Sequence, residues 1–157
     1  MSPRETSPRT LYRAADFEID ESIGYLIKRC RGILSAAVER EIADHGVTYE
    51  QWGVLLMVLK QRGDTAAALA RELECDTGSM TRMIDRLEAK DLIVRTRSTD
   101  DRRIVRLELT ATGKRLAERL VAAMATVLNR HLAGFSKDEL ETFKGFLRRI
   151  IANRDAT

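Results

Sequence analysis

The chain has 157 residues, the length of one typical domain, with 44% hydrophobic and 32% charged residues. It contains no run of roughly 18 or more apolar residues, and its polar start lacks the apolar stretch of a signal peptide, so we expect a cytoplasmic protein without a membrane span. Its two cysteines and two histidines lie far apart, which argues against a bound metal. No nucleophile motif or phosphate-binding glycine loop is present, and we expect neither an enzyme nor a cofactor.

The net charge of the chain is only +3, yet it is unevenly distributed. Between Arg82 and Arg106, eight basic residues stand against five acidic ones, so this stretch alone carries a net charge of +3. Clustered basic residues are what a nucleic-acid-binding surface requires. Whether this stretch can bind a nucleic acid therefore depends on its secondary structure.

The N-terminal part of the chain is predicted to hold a flexible arm followed by a long helix. Residues 1–16 are rich in Ser, Pro, Thr and Arg, a composition typical of a flexible segment. From Ile19 to Ile42 the apolar residues follow a helical spacing, and Gly46 can supply the left-handed residue that ends the helix.

Three shorter helices are predicted next. Thr48 opens a capping box that begins the second helix, and Thr65 can cap a short third helix. Asp76 or Thr77 can cap a fourth helix that runs to about Lys90. The third and fourth helices follow each other closely, as in a helix–turn–helix unit.

After the fourth helix, the apolar pattern changes from a helical period to alternation. Residues 92–97 and 104–109 are predicted to form an antiparallel hairpin, which needs support from the helices because two strands alone are marginally stable. Thr110 can cap a long fifth helix ending near Gly134, and Ser136 begins the capping box of a sixth. The sequence thus predicts a mainly α fold with one small β-hairpin.

The fourth helix has two chemically different faces. Met80, Met83, Ile84 and Leu87 share the apolar face, whereas the opposite face is small and polar at its start and then cationic. Small residues let a helix approach the floor of the major groove, and arginine can bond bidentately to guanine. The alternative is an ordinary amphipathic helix whose charged face is only solvated.

The predicted hairpin tip strengthens the nucleic-acid interpretation. Residues 98–103 connect the strands, with Arg95, Arg97 and Arg106 beside them. Such a basic tip can enter a minor groove, whose negative potential attracts arginine. The alternative is edge protection, since charges keep exposed strands from pairing. A helix–turn–helix followed directly by a basic hairpin is more specific than either part, and it favours DNA binding.

Five short motifs stand in a characteristic order along the chain. They are Leu69-Ala70, Met80-Thr-Arg-Met-Ile-Asp-Arg-Leu87, Leu92-Ile-Val-Arg95, Asp101-Arg-Arg103 and Leu109-Thr-Ala-Thr-Gly113. Their order resembles that of the MarR family of bacterial transcription regulators, over residues from about 20 to 153. The resemblance implies a winged helix–turn–helix at 47–109, with N- and C-terminal dimerisation helices at 17–46 and 110–153.

The resemblance also implies roles for individual residues. Residues 77–86 are expected in the major groove and Arg103 in the minor groove, with Asp101 orienting the wing arginines through a salt bridge. The expected DNA-binding residues are Thr77, Gly78, Ser79, Thr81, Arg82, Arg86, Arg95, Arg97, Asp101, Arg102 and Arg103. One departure is Asp91, at a helix end where the family often has glycine, which can alter the hinge of the wing slightly.

A homodimer that binds double-stranded DNA is expected. The apolar stripes of the first and last helices would leave large exposed patches on a monomer, which a two-fold partner would cover. Helices that fold back onto their own core are the alternative. Family members commonly respond to small phenolic or anionic effectors, and the candidate effector contacts are Tyr25, Arg29, Trp52 and His131. Each of these is also explained by ordinary packing or surface exposure.

Thiol oxidation is an alternative signal. Peroxide-sensing relatives carry a reactive cysteine near the start of the first helix, where this chain has Gly24. Cys30 lies deeper on the apolar stripe, where burial is expected to make it less reactive, and Cys75 is expected in a more exposed turn. The sequence is also compatible with constitutive repression, and with an adaptor that keeps the fold without reading DNA.

Overall fold

The computed structural model describes residues 11–98, 101 and 103–153. Six α-helices and one two-stranded antiparallel sheet form this part of the chain. In chain order they are α1 (Ile23–Ile42), α2 (Tyr49–Leu59), α3 (Ala66–Glu72), α4 (Thr77–Ala89), β1 (Ile93–Arg97), β2 (Val105–Leu109), α5 (Ala111–His131) and α6 (Lys137–Ala152). The mainly α fold with one small hairpin is thus confirmed. None of the described helices combines the length and apolarity needed to cross a bilayer.

Side-chain caps set the starts of the helices where the sequence indicates them. Thr48 and Gln51 form the complete capping box of α2. The Asp76 carboxylate caps α4 by accepting a hydrogen bond from the Ser79 amide at 2.8 Å. Each cap satisfies an amide that has no partner within its own helix, and the boundaries of these helices therefore follow from a few neighbouring residues.

The start of α1 departs from the prediction. The helix begins at Ile23 rather than Ile19, because the Ser22 hydroxyl caps it and also donates to the Ile19 carbonyl in the preceding turn, at 2.7 Å. The Tyr12 hydroxyl accepts a hydrogen bond from the Ile23 amide at 3.0 Å. The first ten residues of the predicted arm lie outside the described residues.

The core lies where α1 to α5 and the hairpin meet. Its largest fully buried side chains come from each of α1, α2, α3, α4, β1 and α5: Val38, Ile42, Val54, Leu55, Leu69, Met80, Ile84, Leu87, Ile93, Leu120 and Val127. Burial of one such side chain contributes roughly 1.5–3 kcal/mol relative to exposure, so this cluster is the main stabilising feature of the monomer. In contrast, no residue of α6 is buried.

The hairpin is tied to the helices at its base. Its register pairs Ile93 with Leu109 and Arg95 with Leu107. The Leu107 amide donates to the Asp64 carbonyl in the α2–α3 turn at 2.7 Å, and Ile93 is buried in the core. The support that two isolated strands lack is therefore supplied by the α2–α3 turn and by the core.

Candidate nucleic-acid interface

The exposed face of α4 holds most of the residues predicted to contact DNA. On this face Thr77, Gly78, Thr81, Arg82 and Arg86 are exposed and Ser79 is half-buried. Arg82 donates to the Ser79 hydroxyl at 3.2 Å. Among the described residues, no carboxylate lies within 4.0 Å of Arg82 or Arg86. Two guanidinium groups, one helical turn apart, are therefore available to an anionic partner.

The start of α4 carries an acidic cap. Hydrogen bonds from Ser79 to the Asp76 carboxylate lower the pKa of Asp76 below its ordinary value. Asp76 is therefore charged near neutral pH, and it occupies the Ser79 amide that a bound phosphate would otherwise find free. The positive charge of this helix lies farther along, at Arg82 and Arg86.

Arg95 was predicted to contact DNA, but its guanidinium forms ion pairs within the protein. Its guanidinium pairs with Asp85 Oδ1 at 2.6 Å and with Glu88, both on α4. Hydrogen bonding to Asp85 is the main cause that raises the pKa of Arg95 above its ordinary value. Arg95 thus ties β1 to α4 and neutralises two carboxylates that would repel DNA phosphates.

A second ion pair ties the other strand to the helices. Arg106 on β2 pairs with Asp64 in the α2–α3 turn. These two residues are 42 positions apart, and neither lies in a motif that signals the contact. Sequence reasoning therefore missed this pair, as it missed the two partners of Arg95.

Hydrogen bonds join Asp101 to Arg103 and Ile104 near the tip of the wing. The Ile104 amide donates to the Asp101 carbonyl, and the Arg103 amide donates to the Asp101 carboxylate, both at 2.9 Å. Asp101 therefore shapes the turn, and the described ion pairs do not include the salt bridge that the resemblance implied. Arg97 and Arg103 are exposed, whereas the predicted contact Arg102 lies outside the described residues.

Helices α2, α3 and α4 end in the same way. Gln61, Glu74 and Asp91 each have a positive φ, at 55°, 52° and 55°. After Asp91, the Leu92 amide donates to the Leu87 carbonyl at 3.0 Å, which closes α4 with a Schellman motif. Asp91 thus adopts the left-handed conformation that glycine would adopt more easily.

A cavity of ≈480 Å³ lies between α1, α2, α3, α4 and α5. Four of the five methionines of the chain line it: Met57, Met80, Met83 and Met124. Trp52 also lines it, and the buried indole Nε1 has no hydrogen-bond partner in the described part of the chain. Sequence reasoning placed Met80 and Met83 on one helix face, but a cavity that depends on the packing of five helices has no local signal.

The other predicted effector contacts lie elsewhere. Arg29 donates to the Tyr25 hydroxyl at 3.2 Å, and its guanidinium lies 5.8 Å from the centre of the Tyr25 ring. His131 Nδ1 donates to the Val127 carbonyl at 2.8 Å, near the end of α5. The structure therefore does not bring Tyr25, Arg29 and His131 to the cavity that Trp52 lines.

The predicted exposure of the two cysteines is wrong. Cys30 is exposed and Cys75 is half-buried, the reverse of the expected order. The reason is that the core covers only the C-terminal half of α1, while the apolar stripe that includes Ile23, Leu26 and Ile27 is left exposed.

Known proteins resemble this chain in sequence. The model of the MarR family matches residues 47–105. The chain is 30% identical to the HTH-type transcriptional repressor MdtR of Bacillus subtilis (strain 168), over 78% of this chain and 77% of that protein. It is 32% identical to the organic hydroperoxide resistance transcriptional regulator of the same organism, over 67% of this chain and 70% of that protein.

Solved structures share the fold. The transcriptional repressor CouR, bound to a 23-mer DNA duplex, is 29% identical with a TM-score of 0.77, covering 85% of this chain and 95% of that one. CouR from Rhodococcus jostii RHA1 bound to p-coumaroyl-CoA is 25% identical with a TM-score of 0.77, covering 85% and 94%. These relatives are DNA-binding regulators rather than enzymes. The chain belongs to the MarR family of winged helix–turn–helix transcriptional regulators.

Proposed function

We propose that the protein is a repressor that binds a pseudo-palindromic operator as a homodimer. The observation that carries this proposal is the pair of guanidinium groups of Arg82 and Arg86, exposed and without a carboxylate partner among the described residues. The small residue Gly78 at the start of α4 lets the helix approach the base edges. A two-fold dimer presents two such helices about one turn of DNA apart.

The wing supplies a second set of contacts in this proposal. Arg97 and Arg103 are exposed near its tip, where they can enter the minor groove. Arg102 is included on the sequence alone. Arg95 and Asp101 support these contacts from within the protein, Arg95 by neutralising carboxylates of α4 and Asp101 by shaping the turn.

Dimerisation is proposed through the start of α1 and through α6. Large apolar side chains are exposed on both: Ile23, Leu26, Ile27, Ile33, Phe143, Phe146, Ile150 and Ile151. Exposed apolar patches of this kind mark interfaces in proteins of known assembly. A second copy of the chain covers both patches at once and gives the complex the two-fold symmetry of the operator.

A small phenolic or anionic effector is proposed to bind the methionine-lined cavity. Its ≈480 Å³ volume lies in the range of small-molecule sites, and thioether side chains adapt to a ligand's shape. The Trp52 Nε1 donor can bond a ligand oxygen. Arg31 lines the cavity together with Glu50, Glu72 and Glu74, a set of charges that favours a neutral phenol over a carboxylate. Met80 and Met83 belong to α4, so a ligand that displaces them also moves the recognition helix.

Oxidation of Cys30 is the second candidate signal, favoured by its exposure in the chain. The proposed dimer covers the α1 stripe around Cys30, which protects the thiol, and an effector is therefore preferred. Peroxide that releases DNA from the wild type but not from Cys30→Ser would reverse this preference.

Fluorescence anisotropy on the DNA upstream of the gene tests the proposal. We expect a specific site to bind at least ~10³-fold more tightly than a scrambled duplex, with affinity that falls steeply as salt rises. The fluorescence of Trp52, the single tryptophan, then reports phenolic acids that enter the cavity. A random-sequence selection that enriches no site would contradict DNA readout and favour an adaptor.

A further inference from the structure

A second cavity, of ≈550 Å³, lies at the C-terminal end of α4 and shares no lining residue with the methionine-lined cavity. It is bounded by the turn after α1, by the end of α4 and by the first turns of α5. His45, Lys90, Arg115 and Arg119 line this cavity, which we name the cationic pocket. No carboxylate is among the residues that line it.

Lys90 is held in this pocket by neutral groups. Its Nζ donates to the Gly46 carbonyl at 2.6 Å and to Gln51 Oε1 at 3.0 Å. Neither acceptor carries a charge, so these bonds fix the position of the ammonium without neutralising it. An ammonium has three donors, which leaves one for a further acceptor.

The two arginines of the pocket are also without a compensating charge. In the described ranges, no carboxylate lies within 4.0 Å of Arg115 or Arg119, nor of Lys90. Arg95 and Arg106, in contrast, each pair with at least one carboxylate. Like charges gathered around one cavity repel each other, and an anion between them removes that cost.

We propose that the cationic pocket binds an oxyanion of the phosphate class. Arg115 and Arg119 are one turn apart on α5, so their planar guanidinium groups can hold phosphate oxygens bidentately while Lys90 adds a fixed point charge. Lys90 also continues the helical row of Arg82 and Arg86. Because Lys90 lies in line with these two arginines, the phosphate can belong to a free molecule or to the backbone of DNA bound at α4.

Calorimetric titration with inorganic pyrophosphate, at constant ionic strength, tests the first source. We expect Arg115→Gln/Arg119→Gln to weaken binding at least about 10-fold, because glutamine cannot form the charge-assisted hydrogen bonds of either arginine. The control Lys60→Gln/Lys114→Gln removes the same charge from exposed side chains outside the pocket and should bind as the wild type does. This test does not depend on DNA binding.

Anisotropy on the selected DNA site tests the second source, which rests on the proposed function. If a backbone phosphate occupies the pocket, Arg115→Gln/Arg119→Gln lowers the affinity and reduces the slope of log K against log salt by roughly 0.9 for each phosphate that a protomer no longer neutralises. The control pair leaves both unchanged. A wild type that binds no DNA sinks the proposed function and leaves the pyrophosphate result to stand alone.

Two outcomes contradict the binding of an oxyanion by the cationic pocket. In the first, the pocket variant and its control behave alike in both titrations. In the second, Arg82→Gln/Arg86→Gln abolishes pyrophosphate binding while Arg115→Gln/Arg119→Gln does not, which places the anion on the recognition helix. Circular dichroism of each variant shows that the changes of exposed side chains leave the fold intact.

Discussion

In the winged-helix lobe (residues 47–109), Leu55, Leu69 and Leu87 are fully buried, whereas in α6 the side chains of Phe143 and Phe146 are 43% and 54% exposed. Both regions are amphipathic and both start from well-formed caps. The lobe meets enough neighbours to cover its apolar faces, and α6 does not. This difference indicates that α1 and α5 of the same chain cover the apolar faces of the lobe, whereas the apolar face of α6 is left for the second copy in the proposed dimer.

Removing the uncovered side chains of α6 should strongly weaken the proposed dimer. Phe143→Ser/Phe146→Ser takes four aromatic side chains from a dimer, and because about half of each is exposed in the monomer, their burial contributes roughly 3–6 kcal/mol. We expect the dimer dissociation constant to rise by about 10²–10⁴-fold, with the helical circular dichroism retained. Sedimentation equilibrium measures the constant.

Val94→Ser is the control for this change, because Val94 is 41% exposed but lies on the hairpin. It should leave the assembly unchanged. A double variant that dimerises as tightly as the wild type would show that α6 is not part of the interface.

Two glycines, one at the edge of the lobe and one on α6, lie in very different surroundings. A Cβ at Gly113, where α5 leaves the lobe, would lie 1.9 Å from the Leu92 carbonyl oxygen, so we expect Gly113→Ala to cost about 3 kcal/mol. Nothing lies within 4 Å of a Cβ at Gly145 on α6, and Gly145→Ala should stabilise the helix by up to about 1 kcal/mol. Urea unfolding measures both. A destabilised Gly145→Ala dimer would mean that the partner chain approaches this glycine closely.

Substitution of Arg95 shows whether this residue supports the DNA-binding surface from within the protein or contacts DNA itself. Arg95→Ala should cost about 1 kcal/mol of stability and weaken DNA binding, because Asp85 and Glu88 lose their partner. The salt slope should stay the same, whereas Arg97→Ala should reduce it by roughly 1.8, which is about 0.9 for each protomer of the dimer. Adding Asp85→Asn and Glu88→Gln to Arg95→Ala should restore the affinity; a reduced slope for Arg95→Ala would instead make Arg95 a phosphate contact.

The smallest expected effect concerns the end of α4. Asp91→Gly relieves a left-handed conformation at φ 55° and should stabilise the lobe by about 0.5 kcal/mol. The matched change Asp138→Gly, in the first turn of α6, should destabilise by up to about 1 kcal/mol. Thermal unfolding gives both signs, and equal signs would contradict strain at Asp91.

Local signals explain which features of the fold were predictable. The caps at Thr48, Asp76 and Thr110 act over three residues, so the sequence shows both partners. The hairpin and the apolar face of α4 follow from simple periods. The predicted start of the first helix was wrong because the Ser22 hydroxyl, and not the apolar stripe, determines where the preceding turn ends.

The candidate site was predictable in part for the same reason. The exposed face of α4 is a property of one helix, and Arg82 and Arg86 lie where the period places them. The ion pairs of Arg95 and Arg106 depend on carboxylates that tertiary packing brings close. The exposure of Cys30 depends on which part of α1 the core covers. No short pattern records such long-range neighbours.

Two double variants, compared on a selected DNA site, test recognition of DNA by α4. Arg82→Gln/Arg86→Gln removes two cations from the recognition helix, and Lys137→Gln/Arg148→Gln removes two exposed cations from α6. We expect the first pair to lower the affinity by about 100-fold or more, because a bidentate contact contributes roughly 1–3 kcal/mol, and the second to have no effect. Equal affinities of the two double variants in fluorescence anisotropy would contradict recognition of DNA by α4.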